Sequence, residues 1–446
     1  MPVIERLKYY SERCGTPLNT ILVFAGSLAI RLACLGLNPH VLTVGLERDA
    51  QRYDIMARTL LQEGVLTFQG HLAMMSPLYP MFVAGCYALP GPDRLAVLLA
   101  QAVLGATMTA AIYLICRRLF SEKAALVSAL FGALYYPLIA ISQSVLSEAL
   151  FIPLLVFSLL AALCALHANK NVHFALAGIL TGLACLCRPV ILYFPPMLVL
   201  VALAGLLRRK LNIRLLGLAL YLTCFYLTLS PWAYRNWREL GTPVFTSTNT
   251  GMVLATSVMP RHGKLFGFDL QKNYMPPEDR HILDLPELER NQALKELAIN
   301  HLISHPQEIP RETLLKTMYF LSPFDWEIMG HLEGVFNPWF VLVSLLAALA
   351  LARMGWNTGR VLTVAIPFYF AAISFATYAS PRLRLPILPV LIILAGAGWI
   401  EFEGRLSSKA RYLVGTLAVL LSTAGFIYSY QIKLFCRELL VWLGVW

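Results

Sequence analysis

The stretch RDAQRYDIMARTLLQEGVLTFQGHLAMMSPLYP, residues 48–80, is polar and partly helical, and it follows directly after the first of many apolar runs. Its acids are therefore expected at a membrane surface, where an unpaired charge is costly. Helical spacing places Asp49 and Tyr53 on one face with apolar residues, whereas Asp54 lies about 140° away and is expected in solvent. Asp49 is either a carboxylate that lines a cavity and accepts a proton, or a helix N-cap.

The composition around this stretch is that of an integral membrane protein. Of 446 residues, 58% are hydrophobic and only 14% are charged, and the mean hydropathy is +0.65. The net charge of +11 does not indicate a nucleic-acid partner, because the Lys and Arg residues lie between apolar runs instead of clustering on one face. Most of the nine Cys lie inside apolar runs, so neither a disulfide framework nor a zinc site is predicted.

The apolar runs predict an all-α polytopic protein with about eleven transmembrane helices in a single domain, residues 1–446. A helix needs about 20 apolar residues to cross a bilayer. Runs near that length begin around residues 18, 94, 123, 148, 173, 190, 214, 336, 361, 384 and 410. The first run contains Arg31 and has no convincing cleavage site after it, so a retained helix is favoured over a signal peptide.

The Lys and Arg residues of the short loops predict the orientation. With the N-terminus in the cytoplasm, most of them fall inside, and only Arg188, Arg382 and Arg384 fall in outer short turns. Two long polar segments, 38–93 and 232–335, then lie outside, with juxtamembrane helices in the first and a helical cap in the second. A multi-pass membrane protein whose candidate site faces the periplasm or its equivalent is the resulting prediction.

Short segments within the outer loops are expected to be helical. Leu285–Ser304 has helical apolar spacing and stops at His305-Pro306, and a second helix is predicted from about Arg311 to Leu321. The apolar stretch Pro77–Pro90 is short and bounded by Pro, so it predicts a re-entrant or interfacial helix. Whether it spans the membrane stays open.

A second acid, Glu148, opens the fourth run at an outer boundary, where Ser147 is expected to be the N-cap. Glu148 is therefore a functional candidate, with a favourable interaction with the helix dipole as the alternative. Positively charged residues are few on the predicted outer side, so each of them needs an explanation. Binding of phosphate is one, because the forked guanidinium group of Arg suits phosphate oxygens. The alternatives are that these side chains snorkel to lipid headgroups or pair with Asp49 and Glu148. The candidate phosphate-binding residues are Arg188, Arg235, Arg382 and Arg384, with Arg31 as a weaker member.

Other motifs in the sequence do not indicate a metal site or a nucleotide-binding site. His301 and His305 have metal-ligand spacing and His71 lies in the first loop, but no further acid or Cys completes a site, so surface histidines are favoured. No phosphate-binding loop or dinucleotide fingerprint is present.

The order of short motifs along nearly the whole chain resembles that of bacterial GT-C glycosyltransferases. These enzymes depend on polyprenyl-phosphate sugars and are related to protein O-mannosyltransferases and to the aminoarabinose transferase of lipid A. The motifs are DAQRYDIMARTLL, SPLYP, SEALF, GLACLCRP, PWAYRNW, STNTG, ISHPQE and PRLRLPILP.

The resemblance implies an inverting hexosyl- or pentosyltransferase that moves a sugar from a polyprenyl monophosphate to a hydroxyl of a glycan, lipid or protein on the outer face. It implies that Asp49 is the general base and that Glu148 positions the acceptor or supports a metal. Donor phosphate or substrate contacts are implied for Arg188, Arg235, Arg382, Arg384, Tyr53 and Tyr79.

This sequence departs from the family at two places. Glu47-Arg48-Asp49 replaces a tandem Asp-Glu, so no metal site is predicted, and a supporting divalent cation is left open as a cofactor. Met75-Ser76-Pro77 replaces the Lys-Pro-Pro of the lipid A enzymes, which argues against their donor or binding mode.

Two other classes of function stay open at this point. A transporter or flippase for a lipid-linked sugar would bind in a similar cavity, but transporters place ionisable residues near the membrane midplane. An O-antigen ligase or polymerase would use a pyrophosphate-linked glycan and would also need outer arginines. A scaffold has no need of acids paired with cations.

Overall fold

A computed structural model describes most of the chain, and its described residues are 17–43, 46, 48–91, 93–168, 170–207, 214–258, 277–325, 335–377 and 381–404. The run predicted from residue 410 and Glu47 lie outside the described residues. Seventeen α-helices are present in the described part of the chain. They are α1 Pro17–Leu37, α2 His40–Thr43, α3 Arg48–Glu63, α4 Leu78–Tyr87, α5 Asp93–Leu119, α6 Glu122–Leu134, α7 Tyr136–Ser142, α8 Glu148–Ala168, α9 Asn171–Cys187, α10 Phe194–Leu207, α11 Leu215–Leu240, α12 Thr250–Val258, α13 Glu287–Ser304, α14 Ile309–Leu321, α15 Pro338–Arg353, α16 Thr358–Ala376 and α17 Leu388–Glu403.

Short elements complete the description. One pairing of two-residue strands, β1 (Phe324–Asp325) with β2 (Val335–Phe336), is antiparallel. Within the described ranges there are four 3-10 turns, Pro189–Ile191, Pro277–Asp284, Pro306–Glu308 and Pro381–Ile387. The prediction of an all-α polytopic protein is therefore confirmed.

Seven helical segments within the described ranges are long and apolar enough to cross a membrane. The pair α6 and α7, bent by 53°, makes an eighth if it is one span. The break lies at Tyr135, whose backbone is extended with φ −66° and ψ 104°, and Pro137 lacks the N–H that would continue the hydrogen bonding of α6. The apolar helices α9 and α15 match predicted runs but are shorter, so the number eleven stays a prediction.

Small residues allow close approach where the helices pack. A Cβ on Gly178 of α9 would lie 2.3 Å from the Tyr221 carbonyl oxygen of α11, and one on Gly182 would lie 2.6 Å from Thr228 Cβ. A Cβ on Gly398 of α17 would lie 1.9 Å from the Leu346 carbonyl oxygen of α15. Such contacts are typical of helix packing in membranes, where close backbone approach replaces the hydrophobic effect as the driving force.

The two long polar segments have the predicted helices with shifted bounds. The predicted helices 285–304 and 311–321 are found as α13 and α14, and the re-entrant candidate 77–90 is the ten-residue α4, of which six residues are buried. The second segment was expected to begin at Trp232, but α11 continues to Leu240 and ends at Gly241, which has a φ of 72°. Gly adopts this left-handed C-cap without steric cost.

Glu287 of α13 joins the two polar segments to each other. Its buried carboxylate accepts hydrogen bonds from the backbone N–H groups of Leu72, at 2.7 Å, and Ala73, at 2.9 Å, and from the Thr248 hydroxyl. The Thr248 N–H also donates to the Ala73 carbonyl at 2.8 Å. The loop before α4 is therefore held against α13, and this loop is continuous with α3.

Substituting Glu287 with Gln is expected to destabilise this junction by about 1–3 kcal/mol, because an amide supplies one acceptor for the donors that two carboxylate oxygens satisfy. Amide hydrogen exchange of Leu72 and Ala73 would become faster. The exposed Glu289 on the same helix provides the matched control, Glu289→Gln. Equal protection of the two amides in both variants would contradict the role given to Glu287.

His71 is expected to make the stability of this junction depend on pH. Burial lowers the pKa of His71, and Arg290, whose Nη1 lies 3.3 Å from His71 Nε2, lowers it further. Because the pKa is lower in the folded than in the unfolded protein, the unfolded state binds more protons, and stability is lost as the pH falls. Between about pH 7 and about pH 5, the wild-type protein is expected to lose stability relative to His71→Gln. Parallel curves of unfolding midpoint against pH for the two proteins would refute this.

Candidate functional site

Four separate segments place charged side chains at one location. Asp49 is in the first turn of α3, and Glu148 is the first residue of α8. Arg188 directly follows α9, and its extended backbone, with φ −143° and ψ 123°, is the conformation favoured before Pro189. Arg382 lies in the 3-10 turn that precedes α17. All four therefore lie at helix ends, as expected for a site at one surface of the helical bundle.

Arg382 is the centre of this cluster and bonds both acids. Its Nε donates to Glu148 Oε1 at 2.5 Å, and its Nη2 donates to Glu148 Oε2 at 3.1 Å. Its Nη1 donates to Asp49 Oδ2 at 2.9 Å. The planar guanidinium fork suits this bidentate contact with one carboxylate and leaves a third nitrogen for the other.

Arg188 and Arg52 add further positive charge. Arg188 Nη1 lies 2.7 Å from Glu148 Oε1, so the Glu148 carboxylate contacts two arginines. Arg52 Nη1 lies 3.6 Å from Asp49 Oδ1, one helical turn away on α3. Two carboxylates and three guanidinium groups thus form one network, which has a formal charge of +1.

Exposure divides the network into a buried and an accessible part. The Glu148 side chain is 1% exposed, whereas the side chains of Asp49, Arg188 and Arg382 are 31%, 21% and 17% exposed. Glu148 therefore holds the two arginines from the protein interior. Asp49 and the outer edges of both arginines are reachable by a substrate.

Buried hydroxyl, aromatic and amide groups contact the cluster on the side that faces the protein interior. The Ser147 hydroxyl bonds Arg188 Nη1 at 3.0 Å and the Tyr53 hydroxyl at 3.1 Å. The Tyr53 ring packs edge-on against Tyr79, with 4.7 Å between the ring centroids. The Tyr79 hydroxyl donates to Gln101 Oε1 at 2.7 Å. Burial, followed by the charge of Asp49, raises the pKa of Tyr53, so its hydroxyl stays protonated.

Two predicted site residues were not brought into this cluster. Arg235 donates to the carbonyl oxygens of Leu72, at 2.7 Å, and Leu66, at 3.3 Å, and stacks on Trp232. Arg384 is 1% exposed; it donates to the Ser322 carbonyl and lies over the Phe340 ring, 3.8 Å from its centroid.

Arg235 thus holds the first long polar segment against α11, and Arg384 holds the 3-10 turn that carries Arg382 against the end of α14. Arg235 and Arg384 therefore stabilise the segments around the cluster without contacting its carboxylates. Of the four arginines predicted to bind phosphate, Arg188 and Arg382 lie in the cluster.

The structure also corrects two expectations. Asp54 was expected in solvent, but its side chain is 18% exposed, because it accepts from the Tyr87 hydroxyl at 2.6 Å and from Arg58 Nε at 3.0 Å. Ser147 was expected to be an N-cap, yet its hydroxyl bonds Tyr53 and Arg188.

Sequence reasoning missed one member of the network, Arg52, and two supporting groups, the Gln101 side chain and the Ser147 hydroxyl as a partner of Tyr53 and Arg188. The signals available in the sequence were the spacing of Arg52 three residues after Asp49 and the position of Gln101, a polar residue within an apolar run.

The described residues do not offer a resident metal site. No group of three or more His, Cys, Asp or Glu side chains in the described part is arranged to hold an ion. Both acids of the cluster bond Arg382, and a cation between them would have to displace that guanidinium group. His301 and His305 stack on each other with 4.6 Å between ring centroids, and Glu308 lies beside His301.

Comparison with known proteins gives one family match and several similar folds. Residues 75–234 match the family model described as dolichyl-phosphate-mannose-protein mannosyltransferase. The matched segment includes Tyr79, Glu148 and Arg188, whereas Asp49 and Arg382 lie outside it. No curated protein sequence matches the chain.

The apo structure of the Archaeoglobus fulgidus oligosaccharyltransferase superposes with a TM-score of 0.53 at 13% identity, over 94% of this chain and 55% of that chain. The present chain thus spans about half the length of that enzyme. The same enzyme with an inhibitory peptide and a dolichol-phosphate gives 0.46 at 13% identity, over 92% and 55% of the two chains.

ArnT from Cupriavidus metallidurans bound to undecaprenyl phosphate gives a TM-score of 0.40 at 16% identity, over 86% of this chain and 78% of that chain. Of these three structures, the apo oligosaccharyltransferase has a TM-score high enough to indicate a shared fold. In its fold and in the matched segment the chain therefore resembles the GT-C superfamily of glycosyltransferases, as the order of its motifs predicted.

Proposed function

We propose that this protein is an inverting glycosyltransferase that moves a hexose or pentose from a polyprenyl monophosphate to a hydroxyl acceptor. The family description of the matched segment names a lipid-phosphate sugar as donor. The observation that carries the proposal is the arrangement of Arg382, which bonds both Asp49 and Glu148 while Arg188 bonds Glu148. Such a cluster combines an accessible base with cations for a departing phosphate.

The proposed reaction is a single displacement at the anomeric carbon. The Asp49 carboxylate accepts the proton of the acceptor hydroxyl while the acceptor oxygen bonds to the anomeric carbon. The bond from this carbon to the phosphate oxygen breaks, and its electron pair leaves with the phosphate. The products are the glycosylated acceptor, with inverted configuration, and the polyprenyl phosphate.

Arg188 and Arg382 stabilise the negative charge that develops on the phosphate. Among the described residues, Arg188 forms its side-chain bonds through Nη1 alone, so its Nε and Nη2 are available to phosphate oxygens. The buried Glu148 fixes both guanidinium groups before the substrate arrives. Fixed cations need no reorganisation during the reaction, and this is the basis of electrostatic catalysis.

The site is proposed to face the outer side of the bacterial inner membrane, with the N-terminus in the cytoplasm. The distribution of Lys and Arg in the short loops supports this orientation. A lipid carrier fits the location, because its tail stays among apolar helices while its phosphate reaches cations at their ends. The acceptor is a hydroxyl of a glycan, lipid or protein.

Reconstituted protein supplied with a radiolabelled polyprenyl-monophosphate sugar and membrane extract as the acceptor source tests the function. We expect labelled product together with free polyprenyl monophosphate, and a loss of about 10²–10³ in rate for Arg188→Gln. The control is Arg360→Gln, whose guanidinium bonds the carbonyls of Leu119 and Gly355 elsewhere in the fold. Movement of intact donor across vesicles without cleavage would indicate a transporter, and use of pyrophosphate-linked glycans alone would indicate a ligase or polymerase.

A further inference from the structure

The hydroxyl group of Ser147 uses all of its hydrogen-bonding capacity inside the Arg382 cluster. It accepts from the Tyr53 hydroxyl at 3.1 Å and from Arg188 Nη1 at 3.0 Å, and it donates to Glu148 Oε2 at 3.4 Å. A hydroxyl has one donor and two acceptor sites, so these three contacts fill it. Ser147 is 0% exposed, and a substrate in the site therefore does not contact it.

The backbone around Ser147 is held by buried side chains of two other helices. Cys187 Sγ, at the end of α9, donates to the Ser147 carbonyl oxygen at 3.3 Å. On α5, the Gln101 amide donates to the carbonyl oxygens of Ser142, at 3.2 Å, and Ser144, at 2.9 Å. The turn between α7 and α8 is therefore fixed from both sides, and the Ser147 hydroxyl is fixed with it.

The acceptor sites of Glu148 are fully occupied, and the Ser147 hydroxyl takes one of them. A carboxylate has about four such sites on its two oxygens. Oε1 accepts from Arg382 Nε and Arg188 Nη1, and Oε2 accepts from Arg382 Nη2 and the Ser147 hydroxyl. Without this hydroxyl, a second nitrogen of Arg188 would turn toward Oε2, because guanidinium groups favour bidentate contact with carboxylates.

The orientation of Arg188 determines how many of its donors remain for a phosphate. Both of its contacts in the cluster are made by Nη1, which donates one hydrogen to Glu148 and the other to Ser147. Nε and Nη2 are thereby left for another anion. Bidentate contact with Glu148 would use one of these two nitrogens and turn the guanidinium group toward the protein interior.

Tyr53 connects this arrangement to the helix that carries Asp49. Tyr53 lies about one turn after Asp49 on α3 and is 7% exposed. Because its hydroxyl donates to Ser147, one serine hydroxyl contacts both α3 and the arginine that follows α9. The position of the Asp49 carboxylate is thereby linked to that of Arg188.

We propose that Ser147 is a positioning residue, whose hydroxyl keeps Arg188 in single contact with Glu148 and so directs Arg188 Nε and Nη2 at the phosphate of the donor. This role rests on the proposed function, because it takes a polyprenyl monophosphate as the ligand of Arg188. Ser147 itself contacts neither donor nor acceptor and acts only through Arg188.

Binding of two lipids to the purified full chain tests this role. Undecaprenyl monophosphate carries the phosphate, and undecaprenol has the same tail without it. Ser147→Ala is expected to bind the monophosphate about fivefold to tenfold more weakly than the wild type and to bind undecaprenol equally well. A general defect in the lipid site would instead weaken the binding of both lipids.

Two further proteins make the test specific. In Arg188→Gln, which already lacks the guanidinium group, adding Ser147→Ala is expected to cause no further loss of affinity for the monophosphate. The matched control is Ser158→Ala, because the buried Ser158 hydroxyl also joins α8 to α9, through Thr181 at 2.7 Å, but lies outside the cluster. Its affinity for both lipids should equal that of the wild type.

The outcomes separate this role from the proposed function. If Arg188→Gln weakens binding of the monophosphate and Ser147→Ala does not, the role of Ser147 is overturned and the proposed function stands. A further loss from Ser147→Ala in the Arg188→Gln background would also overturn it, since Ser147 would then act by another route. Equal affinity of the wild type for the monophosphate and undecaprenol would overturn both proposals.

Tyr53→Phe provides a second variant in case Ser147→Ala fails to fold. It removes one contact of the Ser147 hydroxyl and keeps the ring that packs on Tyr79. We expect about twofold to threefold weaker binding of the monophosphate, no change for undecaprenol and no further loss in the Arg188→Gln background. Unchanged affinity for the monophosphate in Tyr53→Phe would count against Ser147 as the group that orients Arg188.

Discussion

Replacing Asp49 with Asn is expected to lower the rate of sugar transfer by about 10²–10⁴-fold, the range typical of a lost general acid or base. Asn keeps the size of the side chain and an oxygen that accepts from Arg382, but it cannot take a proton from an acceptor hydroxyl. Because Arg382 still bonds Glu148 through two nitrogens, the fold and the donor-binding groups should persist. The measurement is single-turnover transfer with the donor bound in advance.

The matched control for this experiment is Asp54→Asn. Asp54 lies on the same helix and also pairs with an arginine, Arg58, but it faces Tyr87 and the N-terminus of α5 instead of the Arg382 cluster. We expect its transfer rate to stay within about threefold of the wild type, since the reaction needs no proton at that position. Retained activity in Asp49→Asn, or equal losses in both variants, would remove Asp49 from the role of base.

Glu148→Gln is expected to destabilise the protein by about 3–5 kcal/mol, the cost of removing one partner from a buried ion pair. Glu148 is 1% exposed and its carboxylate is the shared partner of Arg188 and Arg382. A neutral Gln removes the negative charge that lies between the guanidinium groups of Arg188 and Arg382. Arg382 keeps Asp49 as an acidic partner, whereas Arg188 loses its carboxylate partner. The free energy of unfolding in mixed micelles measures the effect.

Glu122→Gln is the control for Glu148. Glu122 also opens a helix and pairs with an arginine, Arg117, but its side chain is 37% exposed, so the expected loss is only about 1 kcal/mol. A double variant, Glu148→Met with Arg382→Met, should lose less stability than the sum of the two single variants, because it removes both partners of one pair. Additive losses would show that the two side chains are not energetically coupled.

The parts of the fold that follow from local pattern were predictable. Long apolar runs determine where helices lie, so α1, α5, α8 and α11 were expected near their observed bounds. Proline determines where a helix ends, as at Arg188 before Pro189. The end of α11 was the exception, because Trp232 and Arg235 are polar enough to resemble a loop while tertiary contacts keep them helical.

The site was predictable only to the level of residue type and of location at the ends of apolar helices. Asp49, Glu148, Arg188 and Arg382 were singled out because charge at a membrane boundary is costly, and the structure places them together. Nothing in the sequence distinguishes Arg382 from Arg384, which are two residues apart. Their roles diverge because one points at two carboxylates, whereas the other reaches carbonyl groups at the end of α14, and that difference depends on long-range packing.

The most direct test of the account is the position of the phosphate when the protein is bound to a polyprenyl phosphate in a nanodisc and solved by electron microscopy. The account predicts phosphate density within hydrogen-bonding distance of Arg188 and Arg382 and beside the Asp49 carboxylate. Phosphate density elsewhere, with the bonds from Arg382 to both acids intact and no density at Arg188, would contradict it.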